Sequence, residues 1–235
     1  MVKSTLTGLL LVAVAASASQ FVVAGSPAET ARQVDKLLIQ EVLQDQRPAP
    51  ICDDETYLRR VALDITGQLP TPGNVTAFTL DPATKKRAAV VEKLLGSEQF
   101  GANWARYWRD VVIFRRSDER GLLAVGPLER HFKAQLNENT PWDEVAAAMI
   151  TASGDVREDG STGLIIAQLG RPEDTVAEIS RIFLGIQVRC AQCRDHPSDR
   201  WSREQFHELA AFFPRVAVRP RTGDGQRTFA VVADD

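Results

Sequence analysis

The sequence is poor in the side chains that bind metals or form covalent bonds. It has three cysteines and three histidines in 235 residues. Positive charge is not in excess either. The net charge is −3, so a nucleic-acid-binding face, which is ordinarily basic throughout, is not expected. No glycine-rich run ends in Lys-Ser or Lys-Thr, which excludes the common phosphate-cradling loop. No G-x-S-x-G elbow occurs, so a hydrolase built on that strand-to-helix turn has no nucleophile. Beyond the N-terminus no apolar run approaches the ~20 residues that cross a bilayer. Strand-like alternation is nearly missing, and no internal repeat is found. What the chain does have is 44% apolar residues, enough to bury a core in one domain or two small ones.

The first residues differ from the rest. Lys3 precedes an apolar run from Leu6 to Ala18, and small residues follow up to Ala24-Gly25. A positive start, a short apolar stretch and small residues predict a secretory leader over 1–24. The run is too short for a membrane anchor. Export places the mature chain in the periplasm or outside the cell, where disulfides form.

Helical spacing dominates after the leader. Residues 25–30 read as a polar linker, and Val34, Leu37, Leu38 and Val42 then recur at helical intervals before Pro48 and Pro50. Asp53 or Asp54 caps a helix carrying Tyr57, Val61 and Ile65, and Gly67 ends it. Asp64, near the wrong end of that helix for an acid, is expected to pair with a residue such as Arg59 or Arg60 or to cap a neighbouring loop. Thr71-Pro72, Asp81-Pro82 and Thr140-Pro141 each set a capping side chain before a proline. Trp104 and Trp108 share a face with Val111 and Val112, the pattern of core aromatics. His131 lies beside the stripe of Leu128, Phe132 and Leu136. The prediction is an all-α, irregular multi-helix bundle with little or no sheet over 25–218, and a C-terminal tail at 219–235 that forms a strand or a frayed end.

One stretch concentrates reactive atoms: Cys190-Ala191-Gln192-Cys193-Arg194-Asp195-His196-Pro197. A helix beginning at Pro172 leads into it, and the Ser-x-x-Gln box from Ser202 to Gln205 opens the helix that follows. Three chemistries fit. In an oxidising compartment Cys190 and Cys193 form a disulfide, structural or redox-active. Alternatively Cys190, Cys193 and His196, with His207 from the next helix, make a Cys2His2 set suited to zinc or a similar ion. Asp195 or Asp199 would then orient a ligating imidazole. Covalent haem needs His directly after the second cysteine, and Arg194 stands there. Asp195, His196, Asp199 and His207 also suit acid–base chemistry on an extracellular polymer such as polysaccharide. Cys52 is left over, whether free, buried or bridged to another chain.

The runs Asp54–Gly67, Trp104–Asp110 and Cys190–Pro197, with Phe212-Phe213, resemble a planctomycete-specific cytochrome-type domain of unknown function. The resemblance extends over nearly the whole mature chain. In that family the cysteine motif reads CAQCHDHP, which contains a C-x-x-C-H haem signature, and relatives are often longer, sometimes carrying a c-type cytochrome module. The resemblance carries over Cys190 and Cys193 but not the axial histidine, because Arg194 cannot donate a lone pair. The expected function is therefore a binding or redox-associated module, with a disulfide or metal at the C-x-x-C loop, working beside another exported or membrane-associated protein.

Overall fold

The computed structural model describes residues 26–43, 48–223 and 225–233; the predicted leader at 1–24 lies outside them. The chain divides into two units, Met1–Ile51 and Cys52–Asp235. In the first unit, α1 (Pro27–Leu37) continues as one π-helical stretch, Leu38–Leu43. The helix begins inside the segment expected to be a linker. The reason is local: the Ser26 hydroxyl accepts from the Glu29 amide at 3.3 Å, and Pro27 takes the first helical position. Proline loses nothing there, because that amide has no partner in any helix.

The second unit holds nine further helices among the described residues. They are α2 (Asp54–Thr66), α3 (Pro72–Leu80), α4 (Lys86–Leu95), α5 (Glu98–Ile113), α6 (Val125–Asn137), α7 (Trp142–Ile150), α8 (Gly163–Ala167), α9 (Pro172–Phe183) and α10 (Arg203–Ala210). A small antiparallel sheet of β1 (Gly154–Asp155), β2 (Val216–Gly223) and β3 (Gln226–Ala233) has the order β1-β3-β2. The fold is a mostly α, irregular helical domain. The segment after Val218 completes β2 and then forms β3. No helix among the described residues is long and apolar enough to cross a membrane.

Most helix ends follow the capping logic. Asp53 Oδ1 accepts from the Thr56 amide at 2.7 Å, and Gly67 closes α2 in the left-handed region at φ 69°. The Thr71 hydroxyl accepts from the Asn74 amide at 3.3 Å. Two caps behave differently. Asp81 Oδ1 takes the Ala83 amide at 2.9 Å, but that makes a turn and α4 starts only at Lys86. At α7 the N-cap is Pro141, with no side-chain bond, and Thr140 does not cap. Lys86 instead serves α3. Its ammonium donates to the Phe78 and Asp81 carbonyls, which the helix end leaves open, and pairs with Asp54 at 2.6 Å. Asp64 is exposed, and neither Arg59 nor Arg60 pairs with it among the described residues.

The core lies along α5, α6 and α8. Ala105, Val112, Leu128 and Phe132 are fully buried, as is nearly all of α8. Full burial of a Leu or Phe side chain contributes about 1.5–3 kcal/mol. Gly101 lets α5 approach α6: a Cβ there would sit 2.3 Å from Asn137 Oδ1, which accepts the Gly101 amide at 3.0 Å. Trp108 packs on Trp142 at 4.4 Å and near Phe132. Of the two tryptophans expected as core, Trp108 packs against it, while Trp104 is half-buried beside the exposed Tyr107 at 5.5 Å.

Candidate functional site

The cysteine stretch sits between α9 and α10. Helix α9 is buried on almost every side from Thr175 to Ser180, so it fixes its C-terminal end firmly. Gly185, at φ 68°, turns the chain, and buried Val188 pins the start of a 3-10 turn, Arg189–Gln192. The Ala191 amide donates to the Val188 carbonyl at 2.8 Å. Ala191 points inward and is fully buried, while Cys190 and Cys193 are exposed free thiols. Cys190 lies in this turn and Cys193, in αR conformation, directly after it, and both are exposed to solvent.

A polar tether holds this turn to the body. Arg189 forms an ion pair with Asp174 in the first turn of α9. The other oxygen of Asp174 accepts from the Ser117 hydroxyl at 2.7 Å, and Ser117 also meets Gln168 Oε1 at 2.8 Å. The sequence marks Asp174 only as an acid suited to a helix start. Its partners lie 15 and 57 positions away, and no local pattern announces them.

The loop after Cys193 is closed by backbone bonds. The His196 amide donates to the Trp201 carbonyl at 2.9 Å, and His196 Nδ1 accepts from the Ser198 amide at 3.3 Å. Asp195 Oδ1 accepts the Arg203 amide at 2.9 Å, where a carboxylate favours the positive end of α10. Asp199 Oδ1 takes the Arg200 amide at 2.7 Å. Ser202 and Gln205 complete the expected reciprocal capping box, at 3.1 and 3.0 Å. His207, exposed on α10, lies with Nε2 3.0 Å from the Gln192 carbonyl, so the ring donates into the cysteine turn.

These distances decide what each predicted residue is near. His207 and the cysteine turn are brought together. His196 faces its own loop, and both aspartates serve backbone amides. Among the described residues, no three Cys, His, Asp or Glu side chains converge where they could hold a metal ion. Cys52 is half-buried beside α2; Arg87 binds its carbonyl at 2.8 Å and Asp54 Oδ1 at 2.7 Å, and stacks on Tyr57. Lys86, followed by Arg87, holds the Asp54 carboxyl below its usual value. His131 is half-buried against Phe132 with its Nε2 unpartnered, and burial pushes its pKa down against the opposing pull of Asp159.

The residues do not fit a covalently attached haem of the C-x-x-C-H kind. Arg194, exposed, occupies the place of the axial histidine, and a guanidinium stays protonated and cannot ligate iron. Neither the curated proteins nor the solved structures include a match to this chain. The match to a family model does cover the cysteine loop and both flanking helices. Running from residue 33 to 218, it places the chain in PSCyt2, a planctomycete cytochrome-type family described as protein of unknown function (DUF1549).

Proposed function

We propose that this chain is an exported redox-associated module in which Cys190 and Cys193 alternate between dithiol and disulfide in exchange with a partner protein. The observation that carries the reading is that both thiols are exposed, Cys190 within a tethered 3-10 turn and Cys193 directly after it. Thiol–disulfide exchange needs an accessible sulfur and a second one nearby. One thiolate attacks a partner disulfide, and the other resolves the mixed disulfide. The module then holds a disulfide, and the partner gains two electrons and two protons as two thiols. The leader-like N-terminus supports export to a compartment where such partners work. The ring a C-x-x-C-x-x-H zinc site would require, His196, is engaged within its own loop, which favours the thiol pair over the metal. An enzyme acting on an extracellular polymer would use Asp195, His196, Asp199 and His207. Both carboxylates already accept backbone amides, so that reading has less support.

The test is a thiol count together with metal analysis on the mature protein, purified without reductant and then reduced. The expected result is one free thiol before reduction and three after it, without stoichiometric metal. Stoichiometric zinc lost on alkylating Cys190 and Cys193 would replace this reading with the metal site. A Soret band surviving denaturation would restore haem.

A further inference from the structure

Far from the cysteine turn in sequence, four arginines line one cleft of about 700 Å³. Arg120 comes from the 3-10 turn before α6, Arg171 from the loop ahead of α9, and Arg221 and Arg227 from the β2–β3 hairpin. Pro220 and Phe229, paired across the two strands, supply an apolar wall. The loop reaches the hairpin through two successive left-handed residues, Leu169 at φ 53° and Gly170 at φ 67°. A Cβ on Gly170 would lie 3.1 Å from the Val218 amide nitrogen and 3.2 Å from the Val216 carbonyl oxygen. Only glycine permits that close approach of loop to strand. A left-handed leucine beside it is uncommon.

Carboxylates reach these arginines from outside the cleft. No carboxylate lines the cleft among the described residues. Asp118 holds Arg120 at 2.8 Å. Arg171 is 3.7 Å from Asp174, whose oxygens already serve Ser117 and Arg189. Arg221 lies within electrostatic reach of Asp155, and Arg227 forms no ion pair among the described residues. Four arginines on a lining without a carboxylate favour an anion in the cleft. Guanidinium forks match the oxygens of tetrahedral oxyanions in paired hydrogen bonds. The volume is that of a small-molecule site, ~300–1,000 Å³.

We propose that this cleft binds a small organic phosphate or sulfate ester, its oxyanion held by Arg171, Arg221 and Arg227 and its organic body resting on Pro220 and Phe229. The experiment is calorimetric titration of the mature chain with pyrophosphate and, separately, with sulfate, at low salt. Saturable binding of either probe is expected, and the tighter of the two identifies the ester. The double variant R221A/R227A should weaken it about tenfold or more. R227K, which keeps the charge but loses the fork, should weaken it measurably. Arg60→Ala, exposed and outside the cleft, should leave it unchanged. The proposal is overturned if neither probe binds, or if Arg60→Ala weakens binding as much as the double variant. Binding of long polyanions alone, without either small probe, would also overturn it in favour of a diffuse basic surface. Unchanged far-ultraviolet circular dichroism separates loss of the site from loss of the fold, and R227K removes no side-chain bulk that the fold needs.

Discussion

The region around α5, α6 and α8 and the turn around Cys190 are built on opposite principles. The first is held by apolar packing: Phe132, Leu128, Leu164 and Ile166 are sealed from solvent. The second is held by a few polar bonds, namely Arg189 to Asp174, Asp195 to the Arg203 amide and His207 to the Gln192 carbonyl. Its apolar anchors, Val188 and Ala191, reach into the same core, and Trp201 packs against that core behind the loop. A turn fastened this way keeps its reactive side open. It also leaves the cysteines contributing almost nothing to the fold, so their chemistry can change without unfolding the domain.

Substitutions should expose that contrast in order of size. Phe132→Ala empties fully buried space, and denaturant unfolding should show a loss of about 3–5 kcal/mol. Asp174→Ala unpairs Arg189 and removes one of the two acceptors of the Ser117 hydroxyl, leaving Gln168 as the other. A loss of about 1–3 kcal/mol is expected, together with faster alkylation of Cys190 and Cys193. Ser202→Ala removes half of the capping box of α10 and should cost about 1 kcal/mol. Cys190→Ser and Cys193→Ser should stay within about 0.5 kcal/mol of the parent, as exposed positions do. A cost of several kcal/mol from either serine variant would erase the distinction between the two regions.

Acid should act on the packed side as well. Burial lowers the pKa of His131 in the folded state from its usual 6.5. Between those two values the unfolded chain binds more protons, so stability falls as pH drops below about 6.5. The His131→Gln variant should flatten this slope in unfolding curves measured between pH 7.5 and 5.5. An unchanged slope would remove His131 from the account.

How much of this was legible depended on range. The Gly67 stop, the Ser202–Gln205 box and most helices are local patterns that appear where their residues direct; the starts of α1 and α4 do not. The cysteine turn was legible too, since C-x-x-C is contiguous. Thr140 and Asp81 misled for a physical reason. A capping residue before proline is also a turn former, and Asp81 spends its carboxylate on such a turn. The tether from Asp174 to Ser117 and the cleft between Arg171 and Arg227 could not be read in sequence. They join segments that only the fold brings together. The β-hairpin was masked by composition, because Arg-, Gly- and Asp-rich segments resemble tails as much as strands.

The exchange chemistry can be tested without knowing the partner. The mature protein would be equilibrated in glutathione buffers of graded potential, quenched in acid, alkylated and mapped by mass spectrometry. A two-electron transition should appear in one peptide, linking Cys190 to Cys193, with Cys52 alkylated throughout. Oxidation should barely shift the unfolding midpoint, because the loop closed is so short. If Cys190 and Cys193 stayed alkylatable at every potential, or were oxidised only with Cys52 or a second chain, the central claim would fail.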